Sequence, residues 1–243
     1  IEIMGNVGVV HTRLSIIDVA GGHQPLMGKQ KKALVLNGEI YNYVELHRQY
    51  AKYPFKTKSD SETVFPVYEA YGEETFTQHL RGMYALCLHD PKAGKTLLSR
   101  DLFGIKPLYF AKLEEGGIAF ASEASALLKS GLAKKLVNPR ARAQAFQLGF
   151  TLGDQTVSGF IKRVLPGETL VIENGQIVRR YILEKPVPIS VKRDESTLIQ
   201  ELENTLRNSV DVHLRSDVPY GLFLSGGLDS AAILKLMSEI SPQ

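Results

Sequence analysis

Apolar residues recur along this chain in two rhythms, and the change from one to the other divides it. Short runs bounded by turn residues predict strands at Val7 to Thr12 and Ala33 to Leu36, with the loop Gly21-Gly22-His23-Gln24-Pro25 between them. Met83 to His89, Thr96 to Ser99, Leu108 to Ala111 and Ile118 to Ala121 read the same way. Thr169 to Ile172 and Ile177 to Tyr181 flank Glu173-Asn174-Gly175-Gln176, where Asn-Gly accepts the positive φ of a type I′ turn and predicts a hairpin. Helical spacing appears at Val44 to Tyr50, Glu123 to Leu128 and Arg140 to Leu148, the last after Pro139. A further helix is expected at Ser61 to Ala70, with Ser59 and Asp60 as capping candidates and Pro66 kinking or shortening it. Short strands mixed with helices, without a regular β-α alternation, predict antiparallel sheets covered by helices.

The rhythm then changes. Leu183 to Asp194 carries Pro186 and Pro188 among charged residues and reads as a linker. Beyond it Leu198, Leu202, Leu206, Val210 and Leu214 recur every four residues, predicting an amphipathic helix that ends near Arg215. Tyr220 to Leu224 reads as a buried strand and Ala231 to Ile240 as a helix, with Ser225-Gly226-Gly227-Leu228-Asp229-Ser230 between them. Two units are therefore expected, at residues 1–184 and 195–243. A strand, a Gly-rich turn and a helix start form a phosphate cradle, because unpaired N–H groups converge there and the helix dipole favours an anion. The loop lacks the lysine of a P-loop and the spacing of a dinucleotide fingerprint. Asp229 would repel a phosphate unless Mg²⁺ intervened or its carboxylate capped the helix. The alternative is a plain strand-to-helix connection capped by Ser225. Few residues follow this loop and the chain opens on Ile1, so a fragment is expected.

Composition narrows the function classes. A net charge of +3, with no basic cluster interleaved with aromatics, argues against a nucleic-acid surface. No apolar stretch reaches membrane-spanning length. The single cysteine, Cys87, excludes an internal disulfide framework and suits a reducing, cytoplasmic setting. It lies in the strand-like run Met83 to Leu88 and reads as a small buried hydrophobe.

Motif order carries the strongest signal. Gly8 to Asp18 (GVVHTRLSIID), Asn37 to Asn42 (NGEIYN), Ser59 to Thr63 (SDSET), Arg100 to Tyr109 (RDLFGIKPLY), Phe120-Ala121-Ser122-Glu123 and Leu165-Pro166-Gly167 follow one another. Together they resemble the class II glutamine amidotransferases, and within them the asparagine synthetase branch. Ser225 to Ser230 is similar to the pyrophosphate loop of ATP pyrophosphatases, and the preceding Ser216 to Gly221 (SDVPYG) narrows that likeness to the same branch. The resemblance implies an α+β fold: an incomplete αββα sandwich of the N-terminal-nucleophile type, then the start of an α/β ATP-pyrophosphatase domain. It also implies glutamine, ATP with Mg²⁺, and aspartate as ligands, joined through a β-aspartyl-AMP intermediate. A homodimer stays open.

Glutamine's own chemistry assigns roles. Its α-carboxylate suits a bidentate clamp by Arg13, and its α-ammonium suits Asp60. Asn37 and the Gly38 N–H can serve as oxyanion donors, with glycine allowing close approach. By the resemblance Leu14, Ser15, Ile16, Ile17 and Glu39 complete the glutamine wall, and Leu224, Ser225, Gly226, Gly227, Asp229 and Ser230 face the nucleotide. Each has a structural alternative: Arg13 as an ion-pair partner, Asn37-Gly38 as a turn, Asp60 as a helix cap. His11 and Gln24-Pro25 are assigned to structure. The family's nucleophile is an N-terminal cysteine using its own amine as base. Cys87 cannot stand in for it, so the chain as written is expected not to release ammonia from glutamine. Rival readings are a sister amidotransferase with another acceptor and a non-catalytic binding module. The β-lactam-forming synthetases, which do not hydrolyse glutamine, fit less well because Arg13, Asn37-Gly38-Glu39 and Asp60 are all present.

Overall fold

The computed structural model describes residues 1–184 and 194–241. Its first strands are β1 (Glu2–Met4) and β2 (Val7–Val9), a small hairpin. Next come β3 (Leu26–Met27), β4 (Ala33–Ile40), helix α1 (Tyr43–Gln49) and helix α2 (Val64–Thr75). They are followed by β5 (Gly82–Asp90), β6 (Lys95–Arg100), β7 (Tyr109–Lys112), β8 (Ile118–Ala121), α3 (Ala124–Lys129) and α4 (Pro139–Leu148). The last elements are β9 (Ile161–Arg163), β10 (Glu168–Glu173), β11 (Gln176–Ile182), α5 (Glu195–His213) and α6 (Leu228–Ile240). A six-stranded antiparallel sheet runs β11-β10-β6-β5-β4-β3, and a three-stranded one runs β8-β7-β9.

Period-two alternation sorts the six-stranded sheet into two buried faces. Leu34, Leu36, Tyr84, Leu86 and Leu88 turn toward α1 and α2, meeting Leu46, Phe65, Val67 and Phe76. Val35, Ala85, Cys87, Leu98, Leu170 and Ile172 turn the other way and pack on Leu108, Phe110 and Val164 beside the second sheet. That sheet's outer face, through Ala111, Ala119 and Ile161, takes Leu127 of α3. The order is helix, sheet, sheet, helix, the expected αββα layering. Cys87 lies wholly inside it, as expected, and burial pushes its thiol up to about 12.

Local chemistry accounts for several boundaries. Asn174 and Gly175 both take positive φ (48° and 73°), as the expected turn between β10 and β11 requires. Pro139 opens α4, with the Asn138 side chain accepting the Ala141 N–H.

Other expectations are corrected. The strand expected to Thr12 ends at Val9, and its partner β1 was not foreseen. Pro66 does not kink its helix, because it sits in the first turn of α2, where an N–H has no intrahelical acceptor. The break comes instead at Gly72, with φ +71°. Neither Ser59 nor Asp60 caps a helix through its side chain, since the Asp60 carboxylate turns back to the Ile40 N–H. Tyr220 to Leu224 is not a buried strand: it forms no ladder among the described residues, and Phe223 is fully exposed. A strand is defined by a neighbour to pair with, which an apolar run alone does not supply. Helix α6 starts at Leu228, inside the Gly-rich motif and earlier than expected. Most of the expected linker, residues 185–193, lies outside the described residues.

The end of α5 docks on the first region. Arg81 Nη1 donates to Asn208 Oδ1 (2.6 Å), and the His213 ring lies 4.0 Å from that of Tyr41. Arg215 grips both carboxylate oxygens of Glu45 at 2.7 Å and the Tyr41 carbonyl at 2.5 Å.

Candidate active site

A cavity of about 180 Å³ opens where β4 runs past the 12–24 loop. Its lining includes Arg13, Leu14, Ile16, Ile17, Asn37, Gly38, Glu39 and Asp60, so the structure gathers every sequence-assigned glutamine residue except Ser15. Leu14 lines the cavity although it is 90% exposed.

Strand β4 is the scaffold, and its alternation explains why position 38 matters. Tyr84 lies opposite Gly38, but its N–H and carbonyl turn to the far side, where they meet the Asp101 carboxylate (3.3 Å) and the Asp101 N–H (2.8 Å). Gly38 and Tyr84 are therefore a non-hydrogen-bonded pair, and the Gly38 N–H points toward the outer edge of β4. On that edge the Gln24 side chain pairs with both backbone groups of Leu36, at 2.6 and 3.0 Å. Four residues on, the Ile40 N–H donates to Asp60 Oδ2 at 2.7 Å. Between those occupied positions lies the Gly38 N–H, facing the cavity. Glycine is required there by the protein itself: φ is +142°, and a Cβ would run into the Met83 carbonyl of β5.

Asp60 is almost fully buried. Burial drives its carboxyl above the ordinary aspartate value, opposed by the Ile40 N–H and more weakly by the Arg13 guanidinium. Oδ1 has long 3.4 Å contacts to the Ser59 and Ser61 hydroxyls, and the Ser61 N–H also favours the ionised carboxylate. A cationic ligand at Oδ1 would complete it, because a buried carboxylate is stable only when charge and lone pairs are matched. Glu39 is likewise raised, first by burial and then by Asp60, while Lys106 and His213 pull it back.

Among the described residues Arg13 forms no ion pair. Nη1 donates to the Asp18 carbonyl (3.0 Å) and Nη2 to the Ile17 carbonyl, folding the 13–18 loop around its own guanidinium. An arginine has five N–H donors, so others remain for a carboxylate. Asn37 presents an exposed amide beside Gly38. His11 bonds the Leu36 carbonyl through Nε2 (3.2 Å), and burial lowers its pKa. Nε2 thus carries the proton, the structural part assigned to it, although the ring also lines the cavity.

Lys106 is the functional candidate missed by sequence reasoning. Buried Asp101 accepts the N–H groups of Phe103 (3.1 Å), Ile105 (2.9 Å) and Lys106 (3.0 Å), shaping the turn that presents the lysine. Arg100 secures the turn through the carbonyls of Lys106 (2.7 Å) and Gly104 (2.6 Å). The signal was present in the Arg100 to Tyr109 motif, but nothing in it distinguishes the residue that builds the turn from the one the turn delivers.

The second loop is separate and open. Ser225 and Ser230 hydroxyls lie 3.0 Å apart, the Gly227 carbonyl accepts from Ser230 Oγ (3.0 Å) and the Ala231 N–H (3.1 Å), and Gly226 takes φ +81°. Leu224, Gly226, Gly227 and Asp229 are exposed around the start of α6. First-turn amides, a helix dipole and two hydroxyls fit a phosphate chain. Among the described residues no group of three His, Cys, Asp or Glu side chains could hold a metal ion.

Residues 1–182 match a family of glutamine amidotransferase domains, and residues 201–243 match asparagine synthase. Glutamine-hydrolysing asparagine synthetase 1 of Bacillus subtilis is 37% identical over 98% of this chain and 38% of its own length. The Escherichia coli asparagine synthetase B is 38% identical over 94% of this chain and 36% of its own length. A Penicillium rubens protein named amidase chyE is 31% identical over 98% of this chain and 35% of its own length. The chain thus spans little more than a third of each of these relatives.

Proposed function

Because the chain belongs to the family of glutamine amidotransferase domains, we propose that its cavity binds glutamine and that the whole protein passes glutamine's amide nitrogen to an activated carboxylate. The observation that carries this reading is one edge of β4, where the buried Asp60 carboxyl and a cavity-facing N–H at Gly38 meet the guanidinium of Arg13. Arg13 holds the α-carboxylate and Asp60 the α-ammonium. Asn37 and the Gly38 N–H receive the oxyanion as the carboxamide becomes tetrahedral. A thiol must supply the attack. Cys87 is sealed between the sheets with its pKa raised, so it is not that thiol.

For the whole protein we infer ATP-dependent amidation of aspartate through β-aspartyl-AMP, yielding asparagine, glutamate, AMP and pyrophosphate. Ser225 to Ser230 would hold the pyrophosphate end of ATP, with Mg²⁺ accompanying it. Aspartate is preferred as acceptor because the Bacillus and Escherichia relatives are named asparagine synthetases. A similar span occurs in a protein named amidase, which supports reading the choice of acceptor as made outside these residues.

Isothermal titration of the 243-residue chain with glutamine tests the cavity. Binding is expected, with Arg13→Ala weakening it by about tenfold or more, since charged hydrogen bonds contribute about 1.5–3 kcal/mol. Equal affinity in the two proteins, or no binding by either, would sink the reading. In a longer protein carrying both sites, Arg13→Ala should abolish glutamine-dependent synthesis and spare synthesis from free ammonia.

A further inference from the structure

One residue beyond the linker reaches back to the wall of the cavity. The Asp217 N–H donates to the Ile16 carbonyl (3.0 Å), and Asp217 Oδ2 accepts the Asp18 N–H (2.7 Å). The Ser216 hydroxyl fixes this turn through the Val218 N–H (3.2 Å) and carbonyl (2.9 Å). On the other side of the contact Asp18 takes a positive φ of 50°. Its carboxylate accepts the N–H groups of Gly21 (3.0 Å) and Lys58 (2.8 Å), and its carbonyl accepts those of Gly22 (3.0 Å) and Arg13 (3.0 Å). The three consecutive carbonyls of Ile16, Ile17 and Asp18 are thus all taken, the first by Asp217 and the other two by Arg13.

We propose that Asp217 is a positioning residue for glutamine binding, holding the Arg13 to Gly22 loop in the shape that aims the guanidinium into the cavity. The proposal rests on the glutamine reading of that cavity. The physical chain is short. A non-glycine residue at positive φ is held there by its surroundings, because the conformation is otherwise disfavoured. Removing the carboxylate takes away the acceptor of the Asp18 N–H and frees that residue to return to negative φ. Such a turn reorients the Asp18 carbonyl and withdraws one of the two acceptors that hold Arg13. Asp217 also lies eight positions before Ser225, so a residue of the phosphate-loop segment sets the shape of the glutamine wall.

Asp217→Ala and Asp217→Asn in the 243-residue chain test this with two readouts. Hydrogen exchange without ligand reports the Asp18, Gly21 and Gly22 amides, and titration reports glutamine affinity. Asp217→Ala should speed exchange at these amides and weaken glutamine binding by roughly three- to tenfold, less than Arg13→Ala because Asp217 acts only through the loop. Asp217→Asn keeps an acceptor oxygen and should restore most of both. Unchanged exchange in Asp217→Ala overturns the proposal whatever glutamine does. Faster exchange with unchanged affinity overturns it too, reducing the contact to a structural brace. Failure of the wild-type chain to bind glutamine would instead sink the reading beneath it, while exchange still reports on the clamp.

Discussion

Helices α2 and α5 both carry apolar residues at helical spacing, yet only one of them closes a core. Phe65 and Val67 of α2 lie fully buried against the six-stranded sheet, whereas Leu198, Ile199, Leu202 and Leu206 of α5 stand exposed. The same contrast separates Phe65 from Phe223, two aromatics in equally convincing apolar runs, at 0% and 100% exposure. Periodicity states that a face is suited to burial. What buries it is decided by neighbours far away in sequence, and the first region supplies them while the described part of the second does not.

The largest expected effect tests that contrast directly. Phe65→Ala should destabilise the chain by about 3–5 kcal/mol, the usual range for emptying an aromatic from a packed core. Phe223→Ala should change stability by less than about 0.5 kcal/mol, as exposed substitutions do. Urea denaturation of both variants measures the difference. Comparable losses would mean that Phe223 is covered in solution and that the contrast between regions is false.

A smaller effect is expected where two glycines of positive φ differ in their surroundings. Gly38→Ala places a methyl group against the Met83 carbonyl at φ +142°, whereas Gly226→Ala meets open space at φ +81°. Gly226→Ala should cost about 1 kcal/mol from conformation alone. Gly38→Ala adds an overlap of backbone across β4 and β5, for a total of roughly 2–4 kcal/mol. Thermal melts rank the pair. If they rank equally, the β4–β5 approach is looser than described, and the glycine is there for the ligand after all.

How much was legible follows the same line. The β10–β11 hairpin could be read because Asn174-Gly175 encodes its turn locally. Arg13, Asn37, Gly38 and Asp60 could be grouped in advance because their motif order is recognisable, and the fold brings them to one cavity. Gln24 was rightly assigned to structure, but not its partner, because its amide stands in for a strand backbone beside Leu36, a pairing made only by folding. Lys106 was hidden inside a motif whose conspicuous residues, Arg100 and Asp101, build the turn. Asp217 looked like part of a family signature, and its bond to Asp18 spans 199 positions of sequence. The false strand at Tyr220 to Leu224 failed for the complementary reason, being locally persuasive without a partner to pair with.

The smallest expected effect concerns the joint between the regions. Arg215 holds Glu45 bidentately, and this hydrogen-bonded pairing brings the Glu45 carboxyl down to about 2 despite some burial. A depressed carboxylate contributes stability that is fully present above its unfolded value and is lost as pH falls through the folded one. The window therefore runs from about pH 4.5 down to about pH 2. Glu45 is about half exposed, so solvent screens the pair and the contribution is at most about 1 kcal/mol. Arg215→Met should lower stability at neutral pH by that amount or less, and the gap from wild type should close as pH falls to 2 or as salt rises. Arg215 also donates to the Tyr41 carbonyl, so a residue of the gap that survives acid and salt measures that neutral anchor. A loss well above 1 kcal/mol would show that the two regions fold as one cooperative unit, and the contrast between a closed core and an open face would no longer describe separable parts.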